Sequence, residues 1–246
     1  MRTDKGVVRE HNEDAIGGDP SEGLIILADG MGGANAGEVA SNLAVDLLVS
    51  QLVCDGEEDE DKAPLGGSDL LDALRSVNQA IHELSWQATE YQGMGTTVVV
   101  GLFQNASLTY AHVGDSRLYR WRDSVLELLT ADHTLIQEMV NFGDFATLEE
   151  ARLAGVPPNV LTRAFGAEAE VSVDLAETDV LPDDLFLFCS DGLTSMLSDQ
   201  QIQGILEKPQ TDLMELNDEL IEMANGMGGL DNISVILARV NNSNNE

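Results

Sequence analysis

Cations are scarce in this chain of 246 residues: 12 Lys and Arg, only three of them lysine, stand against 44 Asp and Glu, a formal net charge of -32. That balance excludes a positive electrostatic footprint, so neither nucleic acid nor an anionic lipid surface is an expected partner. Cysteine is scarcer still. Cys54 and Cys189 lie 135 positions apart with no CxxC or Cys/His metal spacing, which reads as two free, partly buried thiols. Long apolar runs are missing too: stretches such as 24–28 and 98–100 are far too short to span a bilayer. The start, Met1-Arg2-Thr3-Asp4-Lys5-Gly6, has no apolar segment behind it and does not read as a signal peptide. A cytoplasmic protein with no membrane role is the expectation. No repeat of fixed period and no Pro/Ser linker divides the chain. With 43% hydrophobic and only 23% charged residues it is nevertheless no disordered segment, and its length fits one large domain or two small ones.

The patterning predicts alternating kinds of structure. Residues 23–28 form an apolar run ending in Asp29-Gly30, a strand and then a turn. Residues 37–52 read as a helix with Val39, Leu43, Leu47 and Val53 one turn apart. An acidic stretch at 55–61 reads as a solvated loop. A second helix follows over 69–92, with Leu70, Leu74, Val77, Ile81 and Leu84 on one face and Ser68 or Asp69 as its N-cap. The runs 96–103, 107–113, 117–121 and 125–129, separated by turn residues, predict an antiparallel meander. A short helix at 132–140 precedes an irregular segment, 141–159, holding Gly143, Gly155, Pro157 and Pro158, with a helical piece at 148–153. The remaining expectations are a strand at 185–189, helices near 199–206 and 212–225, a last strand at 233–240 and a polar tail. Strand runs flanked by helix pairs suggest a layered α/β or α+β domain.

Four aspartates share an unusual context. Asp29 follows Leu-Ile-Ile-Leu-Ala, Asp115 follows Ala-His-Val-Gly, Asp191 follows Phe-Leu-Phe-Cys-Ser, and Asp231 precedes Asn-Ile-Ser-Val-Ile-Leu. Three cap the exit of an apolar strand and one guards an entrance. In an antiparallel arrangement an exit neighbours an entrance, so the four can meet at one sheet end. Carboxylates packed that closely repel and need a counter-charge, and oxygen-only ligands suit Mg²⁺ or Mn²⁺. Each Asp-Gly pair taken alone is simply a turn. Arg9, in Arg9-Glu10-His11-Asn12-Glu13-Asp14, is one of only nine arginines; its planar fork suits an oxyanion, although a surface salt bridge is the plainer reading.

Taken in order, the segments 9–14 (RxxNED), 28–33 (ADGMGG), Gly37-Glu38, Gly95-Thr96-Thr97, 112–117 (HVGDSR), 190–193 (SDGL) and 231–234 (DNIS) make a pattern. The chain thereby resembles the metal-dependent, type 2C serine/threonine protein phosphatases in their bacterial form, from residue 3 to about 239. The resemblance implies an α+β fold: a four-layer α-β-β-α sandwich, two antiparallel sheets flanked by helix pairs. It implies a single phosphatase catalytic domain over residues 1–246, with a flap-like insertion at about 141–159 beside the site. It implies two Mn²⁺ or Mg²⁺ ions, bacterial members often binding a third, weaker one. Asp29 would bridge the pair, Glu13 and the Gly30 carbonyl would complete one position, and Asp191 and Asp231 the other. Asp115 with Asp191 would match the third, Asp14 would orient water from behind, and Arg9 would bind the phosphate. The implied reaction is hydrolysis of phosphoserine and phosphothreonine on proteins by a metal-activated water, without a covalent phosphoenzyme. The alternative is a catalytically silent module that binds phosphoproteins on the same fold; loss of a core ligand would favour it, and none is lost. Implied partners are phosphorylated proteins made by a bacterial Ser/Thr kinase, met by a monomer.

Two features depart from the family's wider pattern. Animal members carry a histidine after the Asp-Gly pair, proposed as general acid, where this chain has Met31; His11, His133 or a metal-bound water could serve instead. Only eight residues precede Arg9, so either the natural start lies upstream or the first strand is short. Among the other polar residues, His11 and His82 read as surface groups, His133 as structural and His112 as packed near a strand end. Arg117 reads as an internal ion pair, and Thr96 and Thr97 as strand packing. Gly32, Gly33 and Gly37 lack a following GK[ST] and read as a tight turn entering a helix.

Overall fold

Strands in the middle of the chain stop where the backbone turns left-handed. Asn105 (φ 53°) forms the tip of one hairpin, and Asp123 (φ 51°) with Ser124 (φ 62°) forms another. Two successive positive φ values match the right-handed twist of the flanking strands, and Asn and Asp tolerate them. A computed structural model describes residues 1–32, 36–53, 65–208 and 212–241. In chain order its elements are β1 (Arg2–Asp4), β2 (Asp14–Asp19), β3 (Leu24–Met31), α1 (Ala36–Leu52), α2 (Gly67–Ser85), a 3-10 turn (Thr89–Tyr91), β4 (Gly95–Thr96), β5 (Val98–Gln104), β6 (Ser107–Val113), β7 (Arg117–Arg122) and β8 (Val125–Leu128). Then follow α3 (Leu135–Phe142), α4 (Leu148–Leu153), β9 (Asp174–Asp179), β10 (Leu185–Cys189), α5 (Asp191–Thr194), α6 (Asp199–Leu206), α7 (Leu213–Gly226) and β11 (Ile233–Arg239). The acidic stretch 55–61, Cys54, Gly33 and most of the polar tail lie outside the described residues; Cys189 is a buried free thiol.

These strands form two antiparallel sheets, one ordered β1-β11-β10-β7-β8 and the other β2-β3-β5-β6-β9, with β4 paired to β3. The single meander expected from the sequence is therefore two hairpins in different sheets. β5 and β6 pair in one and β7 and β8 in the other, and the chain crosses between them at Gly114-Asp115-Ser116. Period-two patterning specifies each hairpin but not which sheet receives it.

Three apolar layers account for the four-layer stack. α1 and α2 cover the outer face of the second sheet, burying Ala40, Ala44, Leu48, Leu70, Leu74, Val77 and Ile81. Leu27, Val99, Leu108, Leu118, Phe186, Phe188 and Ile236 interdigitate between the sheets. α6 and α7 cover the first sheet with Ile202, Ile205, Leu216 and Leu220 against Val235 and Leu237. The fold is thus the expected α+β sandwich. On α1 the face that packs deepest is Ala40-Ala44-Leu48-Leu52, while Val39, Leu43, Leu47 and Val53 are only half-buried at its margin. The exposed side of this helix is the polar stripe Glu38, Asn42, Asp46 and Ser50, and small residues make the close contact with the sheet. Gly66, rather than Ser68 or Asp69, caps α2: Asp69 sits three residues inside the helix and accepts the Gly66 N–H at 2.7 Å. The first strand is short, and its three residues pair with Ile233–Val235 of β11.

Candidate active site

Both sheets end in acids at the same edge of the sandwich. Asp29 lies inside β3, which runs on to Met31 because β4 pairs with Gly30 and Met31. Its backbone is held on both sides. The N–H donates to Thr97 Oγ1 (3.2 Å), and the carbonyl accepts from the Thr97 N–H (2.8 Å) and Thr96 Oγ1 (2.9 Å). Thr97 Oγ1 also bonds Ser116 Oγ at 2.7 Å, beside Asp115. The two threonines, read from sequence as strand packing, thus aim Asp29 and tie it to the crossover carrying Asp115.

Glu13 enters from the β1–β2 connection. Its N–H donates to Asn232 Oδ1 (2.8 Å), and its carbonyl accepts from the Gly30 N–H (3.0 Å) and Ser41 Oγ (2.5 Å). Only glycine fits at two neighbouring positions. A Cβ on Gly30 would stand 2.1 Å from the Gly37 carbonyl oxygen, and one on Gly37 would stand 2.9 Å from Glu13 Cδ. Gly37 is therefore the point where α1 presses against the site, a stronger requirement than the turn expected of it. Asp191 opens α5 directly after β10, and Asp231 precedes β11, its antiparallel neighbour. Arg9 Nη2 donates to Asp231 Oδ2 at 2.6 Å, with both side chains partly exposed.

Arg9, Glu13, Asp29, Gly30, Asp115, Asp191 and Asp231 line one cleft of about 280 Å³, completed by Met31, Gly32, Thr97, Asn159 and Leu161. All the expected site residues except Asp14 face it. Convergence comes from two stacked sheets and the crossover between them, not from the end of one sheet. Asp14 is buried behind the cleft, paired across the strands with Asp29, and accepts a hydrogen bond from Ser190 Oγ at 2.9 Å.

The electrostatics are those of a site short of positive charge. Burial, then the charges of Asp14, Asp191, Asp115 and Asp231, push the Asp29 carboxyl well above the carboxylate range. Burial and Asp191 raise Asp115 to about 7, and burial, against the Ser234 and Ser190 hydroxyls, raises Asp14 to about 7. Asp191 is raised by burial and Asp231 while sharing a hydrogen bond with Asp29, and Glu13 is raised chiefly by burial. Groups so disposed bind protons or hard cations, and an all-oxygen donor set of carboxylates and a backbone carbonyl fits Mg²⁺ or Mn²⁺. Arg9 supplies the cleft's guanidinium, a fork suited to a phosphoryl group.

Asn232 is the residue that sequence reasoning passed over. It is buried, and its side chain makes three bonds to the segment bearing Arg9 and Glu13: Oδ1 accepts the Glu13 N–H, and Nδ2 donates to the carbonyls of Lys5 (3.0 Å) and His11 (2.9 Å). An Asn after Asp reads locally as a turn residue; only long-range contacts show its clamping role. Arg117 forms the expected internal ion pair, bidentate to Asp132 at 2.8 and 2.7 Å. His82 is not a free surface group, since Nδ1 lies 3.0 Å from the Gly166 carbonyl and Nε2 accepts from Trp86 Nε1 at 3.2 Å.

Neither His11 nor His133 lines the cleft. His112 and His133 stack with centroids 4.6 Å apart, next to Asp174. Three such groups could suggest a metal site, but the Arg163 guanidinium already sits against two of them, His133 Nε2 at 3.2 Å and Asp174 Oδ1 at 2.7 Å. His133 Nδ1 accepts the Gly114 N–H at 3.1 Å, and Nε2 lies 3.2 Å from both Asp174 Oδ2 and Arg163 Nη1. Burial lowers both imidazoles toward the neutral form. His133 props the Gly114 turn, with His112 stacked on it and bonded through Nε2 to the Ala131 carbonyl at 2.9 Å.

Known proteins share this fold. The family profile described as "Protein phosphatase 2C" matches residues 7–232. The serine/threonine phosphatase stp of Listeria monocytogenes is 37% identical over 245 residues, 96% of this chain and 93% of the relative. Among solved structures, the Mycobacterium tuberculosis serine/threonine phosphatase PstP/Ppp superposes with a TM-score of 0.85 at 36% identity, covering 98% of this chain and 97% of that one. The catalytic domain of the serine/threonine protein phosphatase PstP in complex with two manganese ions superposes at 0.83, again 36% identical, covering 98% and 96%. With the profile spanning most of its length and these relatives aligned end to end, the chain belongs to the protein phosphatase 2C family.

Proposed function

We propose that the chain hydrolyses phosphoserine and phosphothreonine on proteins, using two Mn²⁺ or Mg²⁺ ions. The observation that carries this is the meeting of acids from both sheets with a single guanidinium in one cleft. Glu13, Asp29 and the Gly30 carbonyl would hold one ion and Asp29, Asp191 and Asp231 the other, with Asp115 and Asp191 available to a weaker third. Bound there, the ions supply Lewis acidity and a water acidified enough to act as nucleophile near neutral pH. Arg9 swings from Asp231 to the phosphoryl oxygens and offsets their charge. Asp14, fixed by Ser190 behind Asp29, orients the water that enters. Met31 lines the cleft but has no proton to give, and no imidazole among the described residues lines it. The departing serine or threonine oxygen therefore takes its proton from water.

Residues 1–246 act in this reading as one phosphatase catalytic domain, with the segment 141–159 as a flap. In its support, Asn159 and the adjoining Leu161 form one wall of the cleft. The substrates are proteins phosphorylated by a bacterial Ser/Thr kinase, and the phosphatase works as a cytoplasmic monomer. Among the described residues no helix is long and apolar enough to cross a membrane. Turnover of p-nitrophenyl phosphate and of a phosphothreonine peptide should appear with added Mn²⁺ and vanish with chelator. Metal-loaded protein that binds phosphopeptides but turns none over would instead establish the silent binding module.

A further inference from the structure

Four large apolar side chains stand in solvent beside the cleft: Val7 is 66% exposed, Val8 60%, Met227 58% and Leu230 58%. Their placement is not scattered. Val8 immediately precedes Arg9, and Leu230 immediately precedes Asp231, the two residues joined by the ion pair at the cleft mouth. The segments are also tied together, since the N–H groups of Val7 and Val8 both donate to the Gly229 carbonyl, at 2.8 and 3.2 Å. Gly6 (φ +77°) makes the approach possible, because a Cβ there would stand 2.2 Å from the Asp231 carbonyl oxygen. The backbone carrying Val7 and Val8 is therefore fixed against the 227–230 segment, next to the cleft-lining Arg9 and Asp231. Exposed side chains like these add little to folding, and apolar groups gathered on one surface more often meet a ligand.

We propose that this rim of Val7, Val8, Met227 and Leu230 is a substrate-docking surface that takes an apolar side chain next to the phosphorylated residue of the protein substrate. The proposal rests on the phosphatase reading above and adds the substrate class to it. A phosphate held by Arg9 places the neighbouring residues of its chain over the rim. A net charge of -32 disfavours acidic neighbours at long range, which leaves neutral or basic segments with an apolar residue to cover the patch. Burying such a side chain against four others is a gain that a small phosphate ester cannot collect.

The test compares Mn²⁺-loaded wild type with a variant carrying Val7→Ser, Val8→Ser, Met227→Ser and Leu230→Ser. The substrates are p-nitrophenyl phosphate and three phosphothreonine peptides whose residue beside the phosphothreonine is Leu, Gly or Glu. Wild type should rank Leu over Gly over Glu. The variant should lose about tenfold in kcat/KM on the Leu peptide, through KM, with p-nitrophenyl phosphate and the Gly peptide unchanged. Should the serine variant melt early, alanine at the same four positions should show the same selective loss on the Leu peptide. A wild type without preference for Leu, or a variant that keeps it, overturns the proposal. So does a wild-type dimer, seen by sedimentation equilibrium, that the variant abolishes while peptide preference persists; the rim would then be covered by a second copy. Failure of wild type on p-nitrophenyl phosphate itself would strike the phosphatase reading instead.

Discussion

The same two sheets build an apolar interior and, a few residues further along the same strands, an acidic cleft. In β3, Leu27 lies in the inter-sheet core and Asp29 in the cleft; around β10 and β11, Phe188 and Ile236 are core while Asp191 and Asp231 are cleft. The core is self-sufficient, since each buried side chain gains from its neighbours. The cleft is the reverse: Asp29, Asp115 and Asp191 are raised by burial and by neighbouring carboxylates, while Thr96 and Thr97 hold Asp29, Ser190 holds Asp14 and Asn232 holds Glu13. Stability is thus stored in the middle of the sandwich and spent at its end, as expected of a site built to receive cations.

This contrast can be broken from either side. Asp191→Asn should drop Mn²⁺-dependent turnover to background while raising the melting temperature in chelator, because it removes one of the repelling carboxyls; activity assays and calorimetry on one preparation read both. Phe188→Ala should do the opposite, costing about 3–5 kcal/mol of unfolding free energy in urea titration while folded protein keeps its kcat. Asn232→Ala lies between the two. It frees the segment bearing Arg9 and Glu13, so turnover should fall about 10–100-fold with weaker Mn²⁺ dependence and stability by about 1–3 kcal/mol. The smallest effect is on pH. Carboxyls raised in the folded state bind protons there that the unfolded chain has already released. Their contribution is full below the unfolded carboxylate value of about 4 and is lost as pH rises through about 7. In chelator the protein should therefore melt higher at pH 5 than at pH 8, and Mn²⁺ should narrow that gap. An unchanged gap with Mn²⁺ present would mean that the raised groups are not the cation's ligands.

Much of this was legible in the amino-acid order, and what escaped did so for physical reasons. Strands 107–113 and 185–189 and helices 148–153 and 199–206 fall where periodicity and turn residues put them. The strands that were missed are β2, whose sequence is Asp-Ala-Ile-Gly-Gly-Asp, and β9, Asp-Leu-Ala-Glu-Thr-Asp, which form the two edges of the second sheet. Edge strands are held largely by backbone hydrogen bonds, so their side chains carry little β signal. In the cleft, Asp29, Asp115, Asp191 and Asp231 were readable because each follows or precedes a recognisable run, whereas Glu13, Gly30 and the phosphate-binding role of Arg9 came from the family resemblance. Asn232, Thr97 and the exposed rim were not readable, because their partners lie far away in sequence.

The sequence by itself determined the inventory: an acidic chain with a core-forming composition, its main helices and strands, and a set of motifs whose order points to one family. Local periodicity, turn chemistry and residue type are properties of neighbours along the chain. Tertiary structure alone decided which sheet each hairpin joins and that Asp29, Asp115, Asp191 and Asp231 share one cleft. It alone placed an apolar rim beside Arg9. Those outcomes depend on backbone pairing and burial between distant segments, such as Glu13 with Asn232, 219 residues apart, and no local pattern encodes them.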